Sequence, residues 1–217
     1  MNGPVTVAVV GADGVGKSTV TVLLADRLCA EGVPATLIDR WDVVDSTNYP
    51  TGACLTKSVR TVRYCATRMS TTPRLLFLLW ASTLALTDRV GDQLDGFVLL
   101  DGFWMKNAAS EIAYGADAGW VQAIAAGLPA ADLVVYLRLD PEVAWQRMDG
   151  QPLPYECGMD VTCSRASFLS HQNAIRTVLD DWADQDGWLV VNADQPLDDV
   201  VDQLAEACDL LAGRVRS

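Results

Sequence analysis

At 217 residues, with 16 basic against 28 acidic side chains, the chain carries a formal charge of −12, and half of its residues are hydrophobic. That content sustains one core of ordinary domain size and excludes a disordered tail. The acidic balance argues against a surface that tracks nucleic acid phosphates or anionic lipid, so small molecules are the expected partners. Six cysteines without a CxxC pair and a single histidine, His171, leave no zinc-ligand spacing. The cysteines therefore read as reduced thiols of a cytoplasmic protein.

In chain order, Met1-Asn2-Gly3-Pro4 runs straight into an apolar, β-branched stretch at 5–10 with no basic segment ahead of it, so no secretory signal is expected. Similar runs recur at 35–38, 97–100, 133–139 and 188–191, spaced widely enough for helices. The pattern predicts an α/β fold: five parallel strands with helices on both faces, built as a single domain over 1–217. The first helix should begin within Gly16 to Thr19, bury Val20, Leu23, Leu24 and Leu28, and stop at Gly32 with Pro34 beyond. The longest apolar run, Leu75 to Leu86, has 12 residues, short of the roughly 20 that cross a bilayer. It predicts a buried or interface helix, with Trp80 and Leu75, Leu76, Leu78, Leu79 and Leu84 as core or dimer seam. His171, in a polar helical stretch, is expected at the surface.

Gly11-Ala12-Asp13-Gly14-Val15-Gly16-Lys17-Ser18 is an uninterrupted GxxxxGK[ST] between a strand and a helix, followed by Thr19. In such a phosphate loop, glycines let backbone N–H groups curl around phosphate oxygens. Lys17 brings a point charge to the β- and γ-phosphates, and the Ser18 hydroxyl holds Mg²⁺. The positive end of the helix dipole adds to the attraction. No NKxD guanine motif and no LSGGQ signature accompanies the loop. Chain length and the Asp13-Gly14 step favour a small-molecule kinase using ATP and Mg²⁺.

Further segments follow in order: Leu37-Ile38-Asp39-Arg40-Trp41, Thr87-Asp88-Arg89, Val98-Leu99-Leu100-Asp101 with Asn107 six residues on, Leu128-Pro129, Asp132 to Leu137, and Asp140-Pro141-Glu142-Val143-Ala144. With the loop, they resemble the thymidylate kinase family of P-loop nucleoside monophosphate kinases over roughly residues 5–201. The resemblance implies that Asp13 lies beside the phosphoryl acceptor and the metal, and that Arg40 approaches the acceptor phosphate with aromatic Trp41 next to it. It further implies that Arg89 reads the acceptor base, that Asn107 is a polar neighbour of the acceptor, that Asp101 joins Ser18 in the Mg²⁺ shell, and that Arg147 packs on adenine. Homodimers through the long apolar helix are implied too. Phe103 and Trp104 either wall the acceptor pocket or pack beneath the sheet. Plainer roles stand beside these: Arg40 as a surface partner of Asp39 or Asp42, Arg89 as a helix C-cap, and Arg147 as a partner of nearby acids.

The chain also departs from the family. Asp101-Gly102 stands where the family has Asp-Arg, Val15 occupies the loop position that can carry an arginine, and Arg165 is the one basic residue between Gly150 and His171. A positioned cation of this kind is worth several powers of ten in phosphoryl transfer. A compensation is visible between Ser46 and Thr87, where Lys57, Arg60, Arg63, Arg68 and Arg74 occur with no acidic residue. Spacing by three groups Lys57, Arg60 and Arg63 on one helix side, either as a solvated basic face or as the cover of an anionic acceptor, with Arg60, Arg63 or Arg68 replacing the missing arginine. A lid over about 150–168 is expected to close on the site, with Cys157 and Cys163 flanking its centre.

The sequence thus predicts transfer of the γ-phosphate of ATP to a nucleoside monophosphate, thymidylate-like or a modified pyrimidine nucleotide. Two rivals remain: a P-loop kinase of a non-phosphorylated nucleoside or specialised metabolite, and a catalytically weak nucleotide-binding protein.

Overall fold

The computed structural model describes residues 4–45, 47–49, 52, 55, 58–89, 94–148 and 152–216, the side chains of 214–216 excepted. Lys57, Cys54 and the expected lid start at Gly150 lie outside the described residues. The strands are β1 (Val5–Val10), β2 (Ala35–Ile38), β3 (Phe97–Asp101), β4 (Leu133–Arg138) and β5 (Leu189–Asn192). All pairings are parallel, in the order β2-β3-β1-β4-β5. The expected five-stranded parallel sheet with helices on both sides is therefore the architecture found. Val7 to Val10 and Phe97 to Leu100 are buried, as strands covered on both faces must be. β1 lies between β3 and β4, so the loops leaving β1 and β3 open at the carboxyl edge where the strand order switches, the usual ligand crevice of such sheets.

The helices are α1 (Lys17–Ala30), α2 (Val59–Arg68), α3 (Thr71–Thr87), α4 (Trp104–Ala113), α5 (Ala118–Ala125), α6 (Pro141–Arg147), α7 (Arg165–Asp186) and α8 (Leu197–Arg216). Helix starts follow local chemistry. Asp117 accepts from Trp120 N–H at 2.7 Å, Asp140 accepts from Glu142 N–H at 2.8 Å ahead of Pro141, and Ser164 accepts from Ser167 N–H at 3.2 Å. α1 packs on α8, while α4 packs on both α3 and α7.

Helix α4 carries polar groups into the core. Its first turn and inner face bury Lys106, Asn107, Ser110 and Glu111. Glu111, fully buried, accepts from Arg74 Nε at 2.5 Å and from Nη2 at 2.7 Å, and Arg74 Nη1 donates to the Met69 carbonyl at 2.6 Å. This fork clasps α3 to α4. Tyr114 and Tyr155 stack on the same guanidinium at 4.9 and 5.3 Å.

Three expectations need correction. His171 is buried rather than superficial, because α7 turns it onto the Tyr114 ring at 4.5 Å and towards Ser110. Burial, helped by the Lys106 charge and opposed by Asp13, holds its pKa down at about 4. Cys157 and Cys163 are not reduced thiols but a disulfide, with Cα atoms 5.3 Å apart. Gly158, Met159 and Cys163 take positive φ and fold the segment after the 3₁₀ turn Pro154–Cys157 back on itself. Disulfides persist in oxidising surroundings, so the cysteines no longer argue for a reducing compartment. Finally, 165–168 of the expected lid form the start of α7, with Phe168 fully buried.

Two outcomes are expected. Glu111→Ala, which leaves Arg74 buried without its partner, should cost about 3–5 kcal/mol in urea denaturation, and an Arg74→Met/Glu111→Leu pair should recover most of it. The unfolded chain takes up a proton on His171 below pH 6.5 that the folded chain resists until about 4, so stability should fall as pH drops through that window. His171→Phe should flatten this slope of the denaturation midpoint.

Candidate phosphate and acceptor site

The loop from Gly11 to Ser18 connects β1 to α1. Gly16 is the N-cap, at φ 94°, with no side chain over the helix end and no acidic residue in the first turn. Gly16, Ser18 and Thr19 are exposed, while Ala12 and Val15 are buried as the loop's anchor in the core. Gly14, at φ +79°, passes so close to α6 that a Cβ would lie 2.9 Å from Met148 Sδ. A helix start with open N–H groups and no counter-charge is an anion seat. Lys17 is held along the loop by donating to the Ala12 carbonyl at 2.7 Å. Burial, against the pull of Asp13, lowers its pKa, and the Lys106 and Arg40 charges push the same way.

Ser18 Oγ donates to Asp101 Oδ2 at 2.5 Å, bringing the hydroxyl of α1 to the carboxylate that ends β3. Two hard oxygens at the helix start suit Mg²⁺, which keeps waters and phosphate oxygens as its other ligands. No cluster of three His, Cys, Asp or Glu side chains that could hold a metal occurs among the described residues.

Across the crevice, Arg40 Nη1 donates to the Gly102 carbonyl at 3.2 Å. Gly102 adopts φ +62°, and a Cβ there would sit 3.4 Å from Lys17 Cε and 3.7 Å from Arg40 Nη1. The absent side chain would thus have stood between these two cations. Arg40, Ser82, Ala85, Asp101, Gly102 and Phe103 line a small crevice at this point. Asp39 caps the 3₁₀ turn Arg40–Val44 by accepting from Trp41 N–H. Arg40 and Arg63 lie over the Trp41 ring at 5.2 and 5.5 Å.

The predicted residues thus divide. Gly11 to Thr19, Arg40, Trp41, Asp101 and Phe103 come together, and Arg63 joins them through Trp41. Trp104 packs on Phe103 and Trp182. Arg60 is exposed on α2, and Arg68 turns to Tyr64, donating to its hydroxyl at 3.2 Å, so neither is drawn to the crevice. Arg74, part of the same basic run, is committed to Glu111. Arg89 acts electrostatically on Asp42 and Tyr49. Arg147 pairs with exposed Asp194 at 3.5 Å, and Arg165 pairs with Glu142. Buried donors without a protein partner include Arg40 Nε, Trp41 Nε1, Trp104 Nε1 and Asn107 Nδ2. Donors left this way mark places where water or a ligand is accommodated.

Four participants were not singled out in the sequence. Lys106 Nζ lies 2.8 Å from Asp13 Oδ1 and 5.1 Å from the Tyr155 ring centre. Gln172, fully buried on α7, accepts from Asp13 N–H at 3.0 Å and donates to the Glu156 carbonyl at 2.8 Å. It thereby ties the loop to the 3₁₀ turn that carries Tyr155 and Glu156. Burial alone would raise the Asp13 pKa, but Lys106, Lys17 and the hydrogen bonds from Lys106 and Gln172 outweigh it and hold the carboxyl down at about 2. Burial and the Asp13 charge raise the pKa of Glu156. Lys106 had a sequence signal, a charge inside an otherwise apolar helix start; Gln172 had none.

A family model described as thymidylate kinase matches residues 9–204. A curated protein named thymidylate kinase, from Dictyostelium discoideum, is 26% identical over 112 residues, which are 52% of this chain and 46% of that protein. The chain thus spans about half the length of that relative. The family match takes in the whole loop, the Ser18–Asp101 contact, the Arg40–Gly102 crevice and the α7 helix that ties Asp13 to the 3₁₀ turn, and with so much of the chain and its site covered, the chain belongs to the thymidylate kinase family.

Proposed function

We propose that the chain is an ATP- and Mg²⁺-dependent phosphotransferase whose acceptor is a nucleoside monophosphate, a thymidylate-like or modified pyrimidine nucleotide. The observation that carries this reading is the convergence at one sheet edge of an uncapped phosphate loop, the Ser18–Asp101 oxygen pair, and Arg40 across the crevice. Membership in the thymidylate kinase family supports it.

In the proposed reaction, an acceptor phosphate oxygen bonds to the γ-phosphorus as the bond to the β–γ bridging oxygen breaks, leaving its electron pair on ADP. Loop N–H groups and Lys17 bind the donor phosphates and offset their charge, and Ser18 and Asp101 hold Mg²⁺, which when bound further neutralises them. Arg40 and Arg63, gathered on Trp41, position the anionic acceptor. Asp13 orients it, and the segment carrying Tyr155 and Glu156 excludes water from above. No protein nucleophile is required. Arg147, on the helix end that supports the loop, is assigned to adenine, Arg89 to the acceptor base, and Asn107 to the polar surroundings of the acceptor.

The proposal places the enzyme in the cytoplasm, on the kinase reading rather than on its cysteines, two of which are bridged. It also pairs two copies through α3, whose Leu76 and Trp80 stay 47% and 38% exposed. No helix among the described residues is long and apolar enough to cross a membrane.

The test is ADP release from ATP and Mg²⁺ across a panel of nucleoside monophosphates and their dephosphorylated counterparts. Fast release with one monophosphate is expected. Release only with unphosphorylated acceptors would reassign the acceptor class, for which the empty side-chain position at Gly102 is the favouring observation. Lys17→Ala should lower the rate at least 100-fold, and Arg40→Ala should raise the acceptor KM at least tenfold with a smaller change in the KM for ATP.

A further inference from the structure

Of the cations that could face a transferring phosphoryl group, Arg40 and Arg63 are already assigned to the acceptor, and several others are committed elsewhere. Arg165 pairs with Glu142 at the surface, Arg74 is locked on Glu111, Arg68 serves Tyr64, and Gly102 and Val15 bring none. One cation beside the loop is different. Lys106, in the first turn of α4, is 5% exposed and has its ammonium on Asp13. Burying an ammonium is costly unless something anionic holds it. Yet Asp13 already feels Lys17, and Lys106 and Lys17 repel each other across it. Asp13 is thus shared between the two ammonium groups, with Asp101 and Glu156 acting on them from further off, so a phosphate seated on the loop gives Lys106 a second anion to bind. Next along α4, Asn107 is 1% exposed, and its Nδ2 lacks a protein partner, so the same turn also offers an unused donor to a ligand.

We propose that Lys106 binds phosphoryl oxygens at the junction of donor and acceptor, taking the place of the arginine that the chain lacks at Gly102 and Val15. The inference rests on the phosphotransferase reading and deepens it. In the absence of substrate Lys106 is parked on Asp13, under the Tyr155 ring. With both substrates bound it turns part of its three-donor ammonium to the phosphate oxygens while Asp13 retains the rest. Lys106 remains protonated throughout and transfers no proton; it offsets charge as one P–O bond forms and the other breaks. A lysine suits this use because its ammonium is a compact point charge on a flexible stem, free to divide its donors between two anions.

The test uses the whole protein with the acceptor identified by the panel. Lys106→Met should lower kcat about 100-fold or more, with the dissociation constant of ATP within threefold of the parent. Lys106→Arg should recover at least a tenth of the parent kcat. A kcat within threefold in Lys106→Met, while Lys17→Ala abolishes turnover, would overturn the Lys106 assignment and leave the kinase reading standing. Unchanged turnover in both variants would instead sink the kinase reading. A parallel loss of ATP affinity in Lys106→Met would also overturn the assignment, reducing Lys106 to a prop for the loop.

Should Lys106→Met fail to fold, the unmodified protein supplies the answer through lysine side-chain nitrogen NMR. The Lys106 resonance should shift when ADP, Mg²⁺, aluminium fluoride and acceptor are added together, and not with ADP and Mg²⁺ alone. No shift in the full mixture would overturn the proposal.

Discussion

The carboxyl edge of the sheet is arranged around one partly buried carboxylate. Asp13 sits in the phosphate loop between the ammonium groups of Lys17 and Lys106, and α7 delivers Gln172 to hold its backbone and side chain. A carboxylate in that setting stays ionised well below the usual pH range because two cations and their hydrogen bonds outweigh the burial penalty. The loop therefore cannot move independently of α4, α7 or the 3₁₀ turn above it. The geometry of the anion seat is fixed before any ligand arrives, which is the condition under which electrostatic stabilisation costs no reorganisation.

The sheet supplies the second constraint. Because β1 is flanked by β3 and β4, the loop after β1 and the Asp101-Gly102 step after β3 emerge side by side, with Val9 opposite Asp101 in the ladder. That register brings Ser18 to Asp101 and Lys17 to Gly102. The 3₁₀ turn after β2 brings Arg40 to the same point from the other side of β3. The buried Arg74–Glu111 fork then sets the distance between α3 and α4, and through α4 the position of Lys106.

Much of this was legible in the sequence for a simple reason. The phosphate loop is contiguous, and its residues are chosen by local backbone geometry; Arg40 and Asp101 each follow an apolar strand directly, and strand ends are where a parallel sheet presents its ligands. The strand runs were readable because doubly covered strands are apolar throughout. What the sequence concealed depends on tertiary distance. Gln172 reaches Asp13 across 159 residues, and nothing in its polar neighbourhood marks it as buried. His171 beside it looked superficial for the same reason. The basic run divides by tertiary contact. Arg60 and Arg63 share α2 and Arg63 lies over Trp41, but Arg68 turns to Tyr64, and Arg74, beyond the break at Met69-Ser70, is taken by Glu111. The cysteine pair was missed because a spacing of six residues carries no information about a turn built from successive positive-φ residues.

The most direct measurement of the central claim is the destination of the phosphoryl group itself. ATP labelled in its γ-phosphate is incubated with the protein, Mg²⁺ and a nucleoside monophosphate, and the products are separated and weighed by mass spectrometry. Label recovered in the corresponding nucleoside diphosphate, in one-to-one ratio with ADP, is the expected result. Label found only as inorganic phosphate would contradict the account, because the assembled charges would then be serving water rather than a bound acceptor.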